Sequence, residues 1–524
     1  MRPNFDTHQP ASRTRPQSLT RSYSIHGTPA AGHSNDIQVT PPSPTLSSCT
    51  VAVDTAYELK TYPQAWIALF LLVCLRAGSA VFQYTFAPIP AVTAEYFGVS
   101  LSAINWLSNI QGLIYVFLSF FTGWIFEKLG VKKSLILAGF ILSLGCWIRW
   151  FAVLIHPPSF AITMIGQVIA ASAAPLALNI MSMFQSLWFT DNLRATAGMF
   201  VASNYGAILG MFMIPAVATG KDNIPLTLII VAGIATAGFV PLIFMPAKPK
   251  TPPTYAQATD RPPFFEGLKM LSKNGHYWIL FLIHGINVGL SMALATIFNQ
   301  VITPYGYTNA QSGQLSAVSF FAGTLGCSVA GPVLDMTKQH KLFLRLMAPL
   351  TLATYIGFIF IIKKDSFAAI MFTSIMNQFF LSFLVPVVVE LGVEVSYPVA
   401  ESTSNSMLWQ GCQLFGFIFV LIMDQMRDPN GDPKDNMRKA LILQAALMGL
   451  CTIFAFVYNG RNRRTEAMEE ERLQREEDEK AMSILEPPRW DRERSGSVCS
   501  EQSDATRVEI RDLEKQKGKT VEYD

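Results

Sequence analysis

Long apolar stretches recur along this chain, and they limit its fold more than any other feature of the sequence. About twelve of them approach the roughly 20 residues that a helix needs to cross a bilayer. We predict spans at 64–86, 103–123, 134–155, 159–187, 195–218, 225–245, 276–301, 312–333, 342–362, 367–391, 403–425 and 437–458. Charged residues make up only 15% of the chain, against about 25% in a typical soluble protein. The sequence therefore predicts an all-α integral membrane protein.

Polar segments divide the chain into five parts. The longest polar gap follows the sixth span and contains the Pro-rich, charged stretch PAKPKTPPTYAQATDRPP. We predict a six-helix bundle at 61–245, a cytosolic loop at 246–275 and a second six-helix bundle at 276–458. Residues 1–60, rich in Ser, Thr and Pro, are predicted to be a disordered cytosolic tail, because they cannot bury enough apolar surface to fold. Residues 459–524 are predicted to be a charged cytosolic tail containing a solvated helix.

Matching loops follow the second and the eighth spans. GWIFEKLGVKKS begins at Gly123, and GPVLDMTKQHK begins at Gly331, 208 residues later. Both resemble the loop signature of the major facilitator fold, Gly-x-x-x-Asp-Arg-x-Gly-Arg-Arg, whose two six-helix halves are repeats. A Gly allows close approach of two helices, and an acid at a helix end can be held by a helix N-terminus or a basic residue. We interpret the following residues as a conformational latch: Gly123, Glu127, Lys128, Gly130, Lys132, Lys133, Gly331, Asp335 and Lys338.

Lys and Arg side chains are concentrated in alternate loops. The loops EYFGVS, HPPS and TPYGYTNAQS carry neither residue, whereas the loops on the other side carry most of them. Loops at Lys363-Lys364 and at DQMRDPNGDPKDNMRK oppose this bias. Because cytoplasmic loops carry the excess of positive charge, we expect both termini in the cytosol. The plasma membrane is the leading expected location, since no retention signal is recognisable, and vacuolar and other internal membranes stay open as alternatives.

The predicted spans contain few ionisable side chains and many neutral polar ones. Asn, Gln and Tyr recur in them beside aromatic residues, which suits a neutral polar solute or an organic cation. A proton-coupled carrier usually needs an ionisable relay, so we expect facilitated movement down a gradient. Gln413, about three turns into the eleventh span, is expected at the midplane, where carriers bind cargo. Gln410, one turn earlier, is expected to hydrogen-bond a neighbouring helix.

Other functional classes lack their usual marks in the sequence. The net charge of +3 is too small to suggest nucleic-acid binding. We find no nucleophile–base constellation, metal-ligand cluster or phosphate-binding Gly loop, so we expect no enzyme, no metal and no cofactor. The expected partners are a small-molecule substrate and the lipid bilayer, and we expect a monomer.

Short motifs across the predicted core point to one branch of carriers. They are INWLS at 104–108, GCWIR at 145–149, MIGQ at 164–167, LWF at 187–189, TPPTYAQA at 251–258, FNQ at 298–300 and EVSYPVAESTSNSMLWQGCQLFGFIF at 394–419. Together they resemble the feline leukaemia virus subgroup C receptor-related transporters. That branch of the major facilitator superfamily is linked with haem export and with choline and ethanolamine uptake. The resemblance covers about residues 65–458, and the Ser/Pro-rich start suggests a fungal homologue.

The resemblance implies a central choline pocket. In those relatives a Gln before hydrophobic-Phe-Gly in the eleventh helix lines the pocket, and Gln413 in CQLFG occupies that position. The candidate substrate-binding residues are Gln83, Tyr84, Asn204, Tyr205, Met292, Gln300 and Gln413.

Several pocket positions depart from the pattern of the relatives. Gln83 or Tyr84 stands where they have a Trp in the first helix. Asn204-Tyr205 replaces Asn-Gln in the fifth helix, and Met292 replaces a Tyr in the seventh. Tyr84 and Tyr205 could rebuild an aromatic cage for a quaternary ammonium.

The resemblance also draws attention to three carboxylates, Glu390, Glu394 and Glu401, near the cytosolic ends of the tenth and eleventh helices. We expect them to hold the outward-open state by pairing with basic loop residues. The expected partners are Lys132, Lys133 and Arg194.

Two alternative functions stay open. The first is an exporter of a secondary metabolite or drug-like compound, which Met292 and the many other Met and Phe residues favour. The second is a non-transporting receptor or scaffold. The paired loop signatures argue against the second alternative, because a scaffold does not need contacts that alternate between two states.

Overall fold

Helices account for nearly all the secondary structure in the computed structural model, which describes residues 62–190, 193, 197–198, 200–201, 204–249 and 264–485. The α-helices are α1 (Pro63–Gln83), α2 (Pro90–Phe97), α3 (Leu101–Leu154), α4 (Phe160–Ala171), α5 (Ala173–Asn179), α6 (Met181–Trp188), α7 (Tyr205–Val217), α8 (Ile224–Ile243), α9 (Phe264–Ser272), α10 (Gly275–Ile302), α11 (Asn309–Thr337), α12 (His340–Ile361), α13 (Phe367–Ser396), α14 (Glu401–Gln425), α15 (Arg438–Val457) and α16 (Arg463–Leu485). No strand occurs within these ranges. The predicted all-α class is confirmed.

Eleven described segments are long and apolar enough to cross a bilayer. Helix α3 supplies two of them, Leu101–Phe126 and Lys128–Leu154. Helix α7 has 13 residues and lies in the predicted fifth span, the first part of which falls partly outside the described residues. Each of the other predicted spans overlaps one of the eleven segments, so the sequence pattern located the membrane core correctly.

The predicted fourth span, 159–187, is divided among α4, α5 and α6 rather than forming one helix. Only Phe160–Asn179 within it is long and apolar enough to cross a bilayer. Pro175 contributes to the irregularity, because it lacks the N–H that would bond to the carbonyl four residues earlier. The Ser172 hydroxyl donates to the carbonyl of Val168 at 2.9 Å where α4 ends.

The two largest apolar clusters lie in different halves of the chain. One cluster of buried side chains falls within residues 65–245 and the other within residues 271–458. Phe70 and Phe360 are each more than 60% exposed, as suits a surface that faces lipid.

The direction of the helices defines two ends of the helical core. We call the end where α1 begins and α13 ends the tail face, because α16 follows α15 there. The opposite end, where α1 ends and α14 ends, is the far face.

Three signature glycines have different surroundings. Gly130 has φ +71° and ψ 174°, and it separates the two spans of α3. A Cβ at Gly123 would meet no atom within 4 Å, so no close helix approach is formed there in this conformation. Gly331 is half-buried within α11. Backbone conformation explains the Gly at position 130, because that φ/ψ region is almost confined to glycine.

We expect Gly130→Ala to lower the free energy of unfolding by about 1–3 kcal/mol, because a Cβ is strained in this conformation. Thermal unfolding of the protein in detergent measures the effect. Gly123→Ala is the matched control, since Gly123 is helical and has open space at its Cβ position. Equal losses in the two variants would contradict the conformational explanation.

Candidate substrate site

A polar cavity lies between the two halves of the chain, where α1, α3, α10 and α14 meet. The empty space among its lining residues, including space open to solvent, is about 280 Å³. The lining residues are Gln83, Ser108, Asn109, Gly112, Met292, Thr296, Gln413, Gly416, Phe417 and Val420. We call it the interface cavity, and it brings together three of the predicted binding residues, Gln83, Met292 and Gln413.

Gln413 is 3% exposed, and its side chain makes no hydrogen bond with another described residue. Gly112 allows α3 to approach it: a Cβ there would lie 3.0 Å from the Gln413 carbonyl oxygen and 3.7 Å from Oε1. The Gln83 side chain likewise has no hydrogen-bond partner among the described residues. Gln413 is buried and Gln83 is half-buried. Because polar groups inside a protein are normally paired, these two unpaired amides at a cavity are suited to bind a polar solute.

Three other candidate binding residues, Tyr84, Asn204 and Tyr205, lie elsewhere. Tyr84 is 8% exposed and packs on Phe320, with ring centroids 5.3 Å apart. Consecutive helical residues point about 100° apart, so Gln83 faces the interface cavity while Tyr84 faces α11. The backbone N–H of Asn204 donates to Thr324 Oγ1 at 3.5 Å, and Tyr205 is 40% exposed. Neither Tyr84 nor Tyr205 lines the interface cavity in this structure.

Gln410 is 6% exposed and is absent from the lining of the interface cavity. The expected hydrogen bond from Gln410 to a neighbouring helix is not formed within the described part of the chain.

Gln300 belongs to a hydrogen-bonded group on the far face, together with Asn105, Asp424 and Arg427. The Gln300 amide donates to Asn105 Oδ1 at 2.6 Å, and Asn105 Nδ2 donates to Asp424 Oδ1 at 2.7 Å. Arg427 donates to Gln300 and lies 3.1 Å from Asp424 Oδ1. This far-face cluster ties α3 to α10 and α14, and so joins the two halves of the chain.

Two further hydrogen bonds join the halves near the far face. Asn109 Nδ2 donates to the carbonyl of Phe417 at 3.1 Å, and Asn299 Nδ2 donates to the carbonyl of Pro88 at 2.9 Å. The sequence reasoning did not single out Asp424 or Arg427. Their opposite charges three residues apart, at the end of a span, were the available signal.

A second, larger cavity of about 480 Å³ lies among α10, α11, α12 and α13. Its lining residues are Ser291, Leu294, Ala295, Phe298, Ser316, Ser319, Phe320, Tyr355, Phe358, Ser374, Asn377 and Gln378. Ser374 Oγ is buried without a hydrogen-bond partner among the described residues. Ser291 lines this cavity, whereas its neighbour Met292 lines the interface cavity, so α10 separates the two.

The three tail-face carboxylates pair with the C-terminal helix instead of with the expected loop residues. Glu390 and Glu401 form ion pairs with Arg464, and Glu394 accepts hydrogen bonds from Thr465. Among the described residues, Lys132 and Lys133 form no ion pair with these carboxylates in this conformation, and Arg194 lies outside the described residues. The physical reason is that α16 begins beside α13 and α14. The expected pairing in the outward-open state stays a prediction.

The remaining signature residues have local contacts or undescribed side chains. The Lys128 ammonium lies over the Trp124 ring, 4.3 Å from its centroid. Lys338 ends α11 with φ 55°, and its N–H donates to the carbonyl of Leu334. The side chains of Glu127 and Asp335 lie outside the described part of the structure.

Two groups of membrane-spanning helices around a polar cavity, joined by hydrogen bonds at one face, define a carrier of the alternating-access class. The Major Facilitator Superfamily sequence model matches residues 69–421. The chain belongs to the Major Facilitator Superfamily. It is a multi-pass membrane transporter, and its cargo is a small molecule.

Curated relatives of the chain are carriers too. Solute carrier family 49 member A3 of Danio rerio is 28% identical over 423 residues, covering 78% of this chain and 89% of the relative. Choline/ethanolamine transporter FLVCR2 of Rattus norvegicus is 28% identical over 396 residues, 72% of each chain. FLVCR2 of Homo sapiens is 26% identical over 438 residues, covering 80% and 82%. These similarities agree with the resemblance read from the motifs.

Solved structures support the fold. The transporter FucP in the outward conformation aligns with a TM-score of 0.55 at 15% identity, covering 76% of this chain and 99% of FucP. An inward-facing bacterial homologue of the human lysosomal transporter Spinster aligns with a TM-score of 0.58 at 13% identity, covering 76% and 98%. At these identities the similarity concerns the fold alone.

Proposed function

We propose that the chain carries a small polar or cationic metabolite of the choline or ethanolamine type. The observation that supports this cargo most directly is the pair of unpaired amides, Gln83 and Gln413, in the interface cavity. The FLVCR2 relatives are named choline/ethanolamine transporters, which points to the same cargo.

The chemistry of the lining fits a cation without a fixed counter-charge. Amide and hydroxyl oxygens can face an ammonium group, and the Phe417 ring adds an aromatic surface, with its centroid 5.7 Å from that of Trp106. The residues that line the interface cavity include no Asp, Glu, His, Lys or Arg. Because no ionisable group there can relay a proton, we propose facilitated movement rather than proton coupling.

The orientation and the domain division belong to the same proposal. The tail face is cytosolic with both termini, the far face is extracellular, and the membrane is the plasma membrane; the distribution of Lys and Arg supports this orientation. The bundles are residues 61–245 and 276–458, joined by the loop 246–275, and the two apolar clusters support this division. The chain acts as a monomer, binds no nucleic acid and is not an enzyme.

In this proposal the two faces of the helical core open alternately. The far-face cluster closes the extracellular side, and the signature loops with Glu390, Glu394 and Glu401 form the cytosolic latch in the opposite state. The hydrogen bonds between Asn105 and Gln300 support the first half of the cycle, since they join residues 195 positions apart in the two halves.

Choline uptake is the direct test. We expect cells without their own choline carriers to take up choline when they express this chain, with its presence at the surface verified. A proton ionophore should leave that uptake unchanged, because the proposed movement follows the choline gradient. Uptake no greater than in vector-only cells would overturn the cargo, and tightly coupled proton flux after a pH jump would overturn the facilitated mechanism.

An exporter of a more hydrophobic compound is the second candidate. Phe298, Phe320 and Phe358 in the larger cavity and Met292 in the interface cavity favour it. An untargeted metabolite comparison of a deletion strain with its parent separates the candidates. Accumulation of an apolar compound in the deletion strain would favour export over choline uptake.

A further inference from the structure

The C-terminal helix α16 is attached to the helical core through two consecutive residues. Arg464 lies 3.8 Å from Glu390 and 3.3 Å from Glu401. The two hydrogen-bond donors of Thr465 both bind one carboxylate. Its backbone N–H donates to Glu394 Oε2 at 3.1 Å, and its hydroxyl donates to Glu394 Oε1 at 2.9 Å. One guanidinium and one threonine thus hold the ends of α13 and α14 to α16.

The Glu394 contact is sensitive to any change at Thr465. Glu394 is only 8% exposed, so both of its oxygens need partners, and Thr465 supplies them. Thr465 itself is exposed to solvent. The hydroxyl that completes the contact therefore belongs to a residue that a modifying enzyme can reach.

We propose that Thr465 is a phosphorylation site, and that its phosphate releases α16 from the core. Arg461, Arg463 and Arg464 precede it, which is the kind of sequence that kinases with an acidic substrate groove select. The kinase transfers the γ-phosphoryl group of Mg-ATP to Thr465 Oγ1. The bond from the γ-phosphorus to the bridging oxygen breaks, ADP leaves, and the hydroxyl proton passes to the kinase.

The phosphate acts on the contact in two ways. It removes the hydroxyl donor from Glu394, and it adds about 1.5–2 negative charges at neutral pH beside a carboxylate. Glu390 and Glu401, which share Arg464, increase the repulsion. Release of α16 frees all three carboxylates. If the proposed cytosolic latch is correct, they then become available to basic loops of the other half, which favours the outward-open state.

The test uses the full chain in lipid nanodiscs, treated with the catalytic subunit of cyclic-AMP-dependent protein kinase and Mg-ATP. Peptide mass spectrometry locates the phosphate, and hydrogen–deuterium exchange follows residues 463–485. We expect phosphate on Thr465 and exchange about tenfold faster along α16, because a helix that loses its docking contacts opens more often. No phosphate on Thr465, or phosphate with unchanged exchange, would overturn the proposal.

Variants separate charge from folding. Thr465→Glu should reproduce the faster exchange without kinase, and adding Glu394→Gln should reverse part of it by removing the nearest repelling charge. Gln474→Glu is the matched control, since it adds the same charge to an exposed position of the same helix and should leave docking unchanged. Equal effects of Thr465→Glu and Gln474→Glu would refute the local mechanism.

The exchange measurement does not depend on the cargo. Failure of choline uptake would overturn the proposed function while leaving the release of α16 to be decided by exchange. Faster exchange without any shift in transport would retain the modification site and reject its link to the latch.

Discussion

Gln413→Ala is expected to reduce choline uptake by about 5- to 150-fold, because one hydrogen bond lost from a buried site costs about 1–3 kcal/mol. The Gln413 amide lines the interface cavity and has no competing partner among the described residues, so its removal weakens the binding of the cargo and breaks no contact within the protein. Initial uptake rates over a range of choline concentrations, normalised to surface protein, measure the effect.

Gln410→Ala is the matched control for this prediction. Gln410 has the same side chain on the same helix and is also buried, but it does not line the interface cavity. We expect its uptake to stay close to that of the unaltered protein. If both variants lost uptake equally, or if only Gln410→Ala did, Gln413 would not be the residue that contacts the cargo.

Removal of the Asp424 carboxylate should open the far face. Asp424 is 7% exposed and accepts from both Asn105 and Arg427, which is only 17% exposed. Asp424→Ala leaves the largely buried Arg427 guanidinium without its counter-charge. The closed conformation of the far face therefore loses stability. We expect a shift of about 1–3 kcal/mol, or about 5- to 150-fold, in the conformational equilibrium. Labelling of a Ser108→Cys background by a membrane-impermeant thiol reagent measures the shift.

Asp428→Ala provides the control for the far-face experiment. Asp428 also carries a carboxylate near that face, but it pairs with Lys439 at 2.9 Å within the same half of the chain. Its loss should leave the labelling of Ser108→Cys unchanged. Faster labelling in both variants would indicate a general loosening, and slower labelling in Asp424→Ala would contradict its role in closing the far face.

The architecture was readable from the sequence because its signals are local. Span length and hydropathy depend on about 20 consecutive residues, so they located ten of the eleven membrane segments closely even though no long-range contact was known. The exception is the fourth span, which is divided into the three short helices α4, α5 and α6, with Pro175 in the middle one. The loop motif drew attention to Gly130 but did not predict its positive φ, which is the structural reason for a glycine at that position.

The site was only partly readable because its contacts join distant parts of the chain. Asn105 and Asp424 are 319 residues apart, and no local pattern connects them. The sequence left Gln83 and Tyr84 as alternatives for one pocket position, because only the rotation of α1 about its axis decides which side chain faces the interface cavity. Glu394 was predicted to act in the cytosolic latch, yet its partner in this structure, Thr465, lies in the segment that the sequence predicts to be a charged tail.

Helix α10 forms a wall that the two cavities share, so a compound bound in one cavity can affect the other. Protein interiors are close-packed and transmit strain, so a bulky compound wedged against Ser291 would displace Met292 on the opposite side. An inhibitor designed for the larger cavity would therefore need no chemical likeness to the cargo, and raising the cargo concentration would not simply displace it.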